Sequence, residues 1–165
     1  MRILVTGGAG FIGTNLIKRL LKENHDVYSF DNYSTGKKEN EQKGCKYLNV
    51  DINNNLNYNY DIIKDIDVIF HLAALARIQP SLVKPVKTID VNVNGTLLIL
   101  EIARKYNIPI IYAGSSSYHH GLYKSAYAWS KHSGEQLCKL YSEVYNLNTT
   151  ICRFYNVYGP YQLEK

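Results

Sequence analysis

Thr6-Gly7-Gly8-Ala9-Gly10-Phe11-Ile12-Gly13 lies between a short apolar run, Ile3-Leu4-Val5, and a stretch with helical spacing through Phe11, Ile12, Leu16, Ile17, Leu20 and Leu21. Gly7, Gly10 and Gly13 have the spacing G-x-x-G-x-x-G. Between a strand and a helix, glycine makes the turn tight, lets the backbone approach a pyrophosphate and lets the helix pack closely on the strand. The helix N-terminus adds N–H donors and a partial positive charge. Glycines alone would fit any tight turn. Here the strand and helix are in place, and an acid follows at the expected distance. That acid is Asp31, 18 residues after Gly13, at the end of a second strand-like run, Asp26-Val27-Tyr28-Ser29-Phe30. A carboxylate there accepts both ribose hydroxyls of adenosine and repels a 2′-phosphate, which favours NAD over NADP. Lys37 and Lys38 keep NADP open, because they could meet such a phosphate.

Outward from this turn, strand and helix patterns alternate. Residues 46–50, 67–71, 108–113 and 149–154 read as strands, and residues 86–106 and 125–145 as helices. Such alternation predicts parallel pairing through helical crossovers. The expected architecture is α/β, a Rossmann-type doubly wound parallel sheet flanked by helices, formed by residues 1–165 as one NAD-binding domain. The asparagine-rich stretch 53–60 lacks apolar periodicity and reads as a surface loop.

Composition excludes several classes. The chain of 165 residues is 45% hydrophobic and 20% charged, a globular rather than a disordered balance. No apolar run reaches the ~18 residues that span a bilayer, and Gly7 comes too soon for a signal peptide. The net charge of +5 gathers into no basic patch, so nucleic acid is not an expected partner. Cys45, Cys138 and Cys152 lack metal-ligand spacing and read as packed thiols, consistent with a reducing cytoplasm. No metal is expected.

Tyr127 and Lys131 are four apart in a helical pattern and share one helix face. An ammonium beside a phenol favours the phenolate, and such a pair can exchange a proton near neutral pH. Tyr-x-x-x-Lys alone is a weak signal, but it gains weight downstream of a nucleotide-binding start.

Together these residues resemble the extended short-chain dehydrogenase/reductases, specifically the NAD-dependent epimerase/dehydratase family acting on nucleotide sugars. The resemblance runs through the glycine turn, Asp31-Asn32-Tyr33-Ser34-Thr35-Gly36, Asp51-Ile52, His71-Leu72-Ala73-Ala74, Asn92-Val93-Asn94-Gly95-Thr96, Ser115-Ser116-Ser117, Tyr127 to Lys131, and Arg153 to Pro160. It implies that Gly7, Gly10, Phe11 and Ile12 line the pyrophosphate. Asp31 and Asn32 hold the adenosine ribose, with Ser34 and Gly36 nearby, and Asp51 and Ile52 meet the adenine. Leu72, Ala73 and Ala74 flank the cofactor, and Asn92 supports their loop. Tyr155 approaches the nicotinamide, and Asn156 contacts the substrate diphosphate. His71 reads as a packed strand-end residue. Tyr127 is the acid or base on a sugar hydroxyl, Lys131 tunes it and holds the nicotinamide ribose, and a serine hydrogen-bonds the reacting oxygen. Counting forward from Tyr112 selects Ser115 for that serine; counting back from Gly121 selects Ser116. Ser115 is preferred, as the count from the more rigid strand.

The chain also departs from the family pattern. Ser117, Tyr118, His119 and His120 stand where the dehydratases place acids, which favours an epimerase or simple oxidoreductase over a dehydratase. His119 and His120 read as exposed, with catalysis the lesser alternative. Five residues separate Gly121 from Tyr127, a shorter loop than is usual in the family and one that leaves the nicotinamide end more open. Family members continue well beyond Lys165 into a segment that closes over the sugar. The expectation is therefore firm cofactor binding with weak or absent sugar binding, and a C-terminal substrate domain largely missing. A non-catalytic NAD-binding module is the competing expectation. The resemblance also implies a homodimer through the helices near 86–106 and 125–146.

Overall fold

The computed structural model describes residues 1–54 and 61–162, so most of the expected asparagine-rich loop lies outside the described residues. Six parallel strands form one sheet in the order β3-β2-β1-β4-β5-β6. They are β1 (Arg2–Thr6), β2 (Asp26–Asp31), β3 (Lys46–Asn49), β4 (Val68–His71), β5 (Ile110–Ser115) and β6 (Thr149–Phe154). The helices are α1 (Phe11–Lys22), α2 (Ile78–Val83), α3 (Pro85–Ile89), α4 (Gly95–Tyr106) and α5 (Ala126–Tyr145). This is the doubly wound α/β architecture expected from the sequence.

Alternation along β1 builds both layers of the core. Leu4 points into a cluster with Phe30, Ile69, Ile99, Leu100, Ile110 and Tyr112 under α4 and α5. Ile3 and Val5 point to the opposite face, against Ile17 and Leu20 of α1 and Val27 of β2. Successive strand side chains face opposite sides, so three residues serve two hydrophobic layers.

Three features differ from the sequence reading. A short helix, α2, occupies a stretch assigned to no element. The expected helix over 86–106 is α3 and α4 joined by a π-turn, Asp90–Asn94, within continuous right-handed backbone. β5 also runs two residues beyond 113, so Gly114 and Ser115 belong to the strand. The strand order changes direction beside β1, and the carboxyl ends of β1 and β4 meet there. In open α/β sheets this is where ligands bind.

Candidate active site

The glycine turn sits at that switch point. Gly7 has φ +74°, and a Cβ on it would stand 2.8 Å from the Ala73 backbone nitrogen. A Cβ on Gly13 would collide with the Gly7 carbonyl oxygen, so the helix can pack this close only without a side chain. Gly10 differs, because its Cβ would meet only that carbonyl, at 3.3 Å. Packing within the protein explains Gly7 and Gly13; the bare backbone at Gly10 fits close approach by a bound group. α1 begins there with no side-chain cap and no acid in its first turn, leaving N–H donors directed outward.

Asp31 ends β2, almost fully buried. Its Oδ2 accepts the Ala9 N–H at 2.9 Å and its Oδ1 accepts the Tyr33 N–H at 2.8 Å. The carboxylate is thus fixed over the glycine turn with lone pairs to spare. Asn32 Nδ2 donates to Asp51 Oδ2 at 3.0 Å, and Asn32 Oδ1 accepts the Ser34 N–H at 3.0 Å. Gly36 lies against the Ala9 backbone, where a Cβ would come within 2.9 Å. Ile52 is buried beside Asp51. The predicted adenosine-side residues therefore form one connected rim. An uncapped helix end for a pyrophosphate and a prefixed carboxylate for a ribose fit NAD in chemistry.

Loop residues after β4 complete the near wall. The Leu72 N–H donates to the Thr6 carbonyl and the Ala73 N–H to Thr6 Oγ1, both at 3.2 Å. Asn92, inside the π-turn, holds this loop. Its Oδ1 accepts the Leu75 N–H at 2.8 Å, while its Nδ2 donates to the Leu75 carbonyl at 3.2 Å and to Ser130 Oγ at 3.0 Å. π-turns recur at functional sites because they re-aim one side chain. Here the turn points Asn92 at both the loop and α5.

α5 carries Tyr127 and Lys131. Ser125 caps it, accepting the Ala128 N–H at 3.1 Å, and Ser81 of α2 accepts the Tyr127 N–H at 3.2 Å. The half-buried Tyr127 donates through Oη to Ser115 Oγ at 3.4 Å. Ser115 also accepts the Ser117 N–H at 3.1 Å. Of the two candidate serines, Ser115 is the one that meets Tyr127; Ser116 begins the 3₁₀ turn beyond the strand. Lys131 is 5% exposed, and its ammonium lies 4.3 Å from the Tyr112 ring centroid. Burial pushes Lys131 down to about 8, opposed by Cys138 and Glu135.

His71 is buried behind this site, and burial, with the nearby Lys131 charge, pushes it down to about 3. Its Nδ1 is 2.7 Å from Thr6 Oγ1 and its Nε2 is 3.0 Å from Thr96 Oγ1. Thr96 donates its hydroxyl proton to the Asn92 carbonyl at 2.7 Å, so Nε2 carries the ring proton and Thr6 donates to Nδ1. The neutral ring links three hydroxyl- and amide-bearing elements and has no free nitrogen for catalysis.

Other predicted residues lie apart. Tyr155 is 71% exposed beyond β6, and Asn156 is exposed next to it. Neither hydrogen-bonds to the Tyr127 group among the described residues. His119 and His120 are exposed, and His119 stacks on Tyr118 with centroids 4.0 Å apart. Among the described residues no group of three His, Cys, Asp or Glu side chains could hold a metal ion, and no helix is long and apolar enough to cross a membrane. Sequence reasoning missed Ser81, and also Glu135, a fully buried carboxylate paired with Arg153.

A parallel sheet with its glycine turn, acid and loop at one carboxyl edge defines a Rossmann-type dinucleotide-binding domain. The chain belongs to the NAD dependent epimerase/dehydratase family, whose sequence profile matches residues 3–165. NAD is the cofactor of that family. The chain is 38% identical to a protein of Methanocaldococcus jannaschii named "Putative UDP-glucose 4-epimerase", covering 99% of this chain and 58% of that one. It is 34% identical to UDP-glucuronic acid decarboxylase 6 of Arabidopsis thaliana, covering 97% and 52%. The structure of Thermus thermophilus UDP-glucose 4-epimerase in complex with NAD superposes with a TM-score of 0.85 at 32% identity, over 98% of this chain and 57% of that one. The chain thus spans little more than half the length of these relatives.

Proposed function

We propose that this chain is the NAD-binding part of a nucleotide-sugar epimerase, with Tyr127, Lys131 and Ser115 as its catalytic set. The observation that carries the reading is the Tyr127 Oη to Ser115 Oγ contact of 3.4 Å, with Lys131 buried one helical turn on. Gly7, Gly10, Phe11 and Ile12 would hold the pyrophosphate, Asp31 and Asn32 the adenosine ribose, Asp51 and Ile52 the adenine, and Leu72 to Ala74 the near face. Bound NAD supplies the hydride acceptor. Tyr127 takes the proton of the sugar hydroxyl as the hydride leaves its carbon, and Ser115 orients that oxygen through its own hydroxyl. Lys131 keeps positive charge beside Tyr127, favouring the phenolate that accepts this proton. Hydride returned to the opposite face of that carbon, with Tyr127 giving its proton back to the oxygen, would give the epimer. The substrate class is a nucleoside-diphosphate sugar, as the relatives' names suggest. The exposed Tyr155 would approach the nicotinamide and Asn156 the substrate diphosphate.

The decarboxylase relative favours a second reading, in which the keto sugar loses carbon dioxide. A panel of UDP-sugars and UDP-uronic acids, followed for reduced cofactor, epimer and carbon dioxide, separates the two. A chain that binds NAD but reduces it with no sugar supports a non-catalytic module. Exposed Val83 and Val86 near α3 and Leu140 and Val144 on α5 support pairing of two copies. Sedimentation giving only monomer at high concentration would count against such pairing.

A further inference from the structure

Glu135 takes no part in the nucleotide cradle or the Tyr127–Ser115 contact, yet it is 0% exposed. Tyr127, Lys131 and Glu135 follow at intervals of four on α5 and share one face. Arg153 of β6 grips the carboxylate: Nε lies 3.0 Å from Oε2 and 3.2 Å from Oε1, and a terminal guanidinium nitrogen lies 2.9 Å from Oε2. β5 makes room for the pair. A Cβ on Gly114, the residue before Ser115, would stand 2.6 Å from Glu135 Oε1. The guanidinium also lies 5.1 Å from the centroid of the Tyr118 ring, which belongs to the Ser116–His120 turn leaving Ser115. One carboxylate therefore joins α5, β5, β6 and that turn. Only the carboxylate is buried, since the Arg153 side chain is 39% exposed, and taking a carboxylate out of water onto a half-solvated partner is a poor source of stability compared with an apolar side chain of the same volume. Its place here calls for another reason.

We propose that Glu135, held by Arg153, is a positioning residue that locks the Lys131 turn of α5 to the Ser115 end of β5 and holds the Lys131 ammonium in its charged form. The inference rests on the proposed role of Lys131 and deepens it. The groups facing Lys131 are the Tyr112 ring from β5, His71 from β4, and Tyr127, Glu135 and Cys138 from α5 itself. Glu135 is the one carboxylate among them. Burial works against the ammonium, and Cys138 and then Glu135 oppose burial; burial pushes the Cys138 thiol up to about 12, so at neutral pH the negative charge comes from Glu135.

The test is NMR titration of the lysine ε-carbons in the whole chain, with Lys131 assigned through Lys131→Met. In folded Glu135→Gln the Lys131 midpoint falls by about one pH unit, a roughly tenfold loss of proton affinity. A midpoint within about 0.3 units of wild type would overturn the proposal. Should Glu135→Gln fail to fold, Arg153→Lys keeps the charge but loses the two-pronged grip. Hydrogen exchange at the Ser117 and Tyr118 amides then accelerates about tenfold, and unchanged exchange would sink the idea. Neither readout needs cofactor or turnover, so a wild-type chain that fails to bind NAD removes the functional reading without deciding this one.

Discussion

Replacing Lys131 with Met should stabilise the fold while damaging the site. Lys131 titrates at 10.5 when free and at about 8 in the folded chain. The folded value is the lower one, so the unfolded chain binds this proton more tightly. Below about pH 8 both states are protonated, and the folded state carries the full cost of a buried ammonium. At about 1.4 kcal/mol per pH unit, that cost is about 3 kcal/mol. It is relieved as pH rises from about 8 towards 10.5, where the folded chain releases the proton first. Methionine removes the charge and keeps most of the volume, but it forfeits the contact with the Tyr112 ring, worth up to ~2 kcal/mol when desolvated. The net gain at neutral pH is about 1 to 3 kcal/mol. With a urea slope of about 2 kcal/mol/M, the midpoint rises by roughly 0.5 to 1.5 M. Urea unfolding at about pH 7 and about pH 10 measures this, and the difference between the two proteins shrinks at the higher pH. A variant less stable than wild type at neutral pH, or a difference independent of pH, would refute the reasoning.

Three further outcomes follow from the site. His71 has a folded value of about 3 against 6.5 unfolded, so only the unfolded chain gains this proton as pH falls through 6.5. Its contribution to stability therefore drops by about 1.4 kcal/mol per unit below that point. Nitrogen NMR at about pH 5 should show a neutral ring protonated at Nε2, and a charged ring there would contradict the burial argument. Asp31→Ala removes a charged acceptor for ribose hydroxyls and should weaken NAD binding about ten- to hundredfold by calorimetry, from roughly 1.5–3 kcal/mol per charged hydrogen bond; unchanged affinity would displace Asp31 from the cradle. In sugar-dependent cofactor reduction, Ser115→Ala should cost about tenfold or more and Ser116→Ala little, with the reverse order assigning the role to Ser116.

Much of this was legible in the sequence, because it rests on local rules. The glycine spacing, the acid 18 residues on and the period of the apolar residues all report on neighbours in the chain. The element boundaries fall within a few residues of expectation for the same reason. α2 escaped notice because Pro80 and Pro85 break its pattern, although Pro85 begins α3, where proline is tolerated. The π-turn at Asn92 leaves the right-handed backbone angles nearly unchanged and so gives no compositional signal. The choice between Ser115 and Ser116 depended on where β5 ends, and the strand reaches Ser115. Glu135 was hidden for a different reason: on a helix it reads as an ordinary surface acid. Only the pairing of β6 beside β5 brings Arg153 to it, and only Gly114 leaves the space.

The central claim is that the edge formed by the glycine turn, Asp31 and the Leu72–Ala74 loop takes NAD. Calorimetric titration of the folded chain with NAD and with NADP tests it most directly. The expected result is saturable one-to-one binding of NAD with a Kd well below about 1 mM, NADP weaker by about tenfold or more, and NAD binding weakened about ten- to hundredfold in Asp31→Ala. A folded chain that binds neither dinucleotide at about 1 mM, or that prefers NADP, would contradict it.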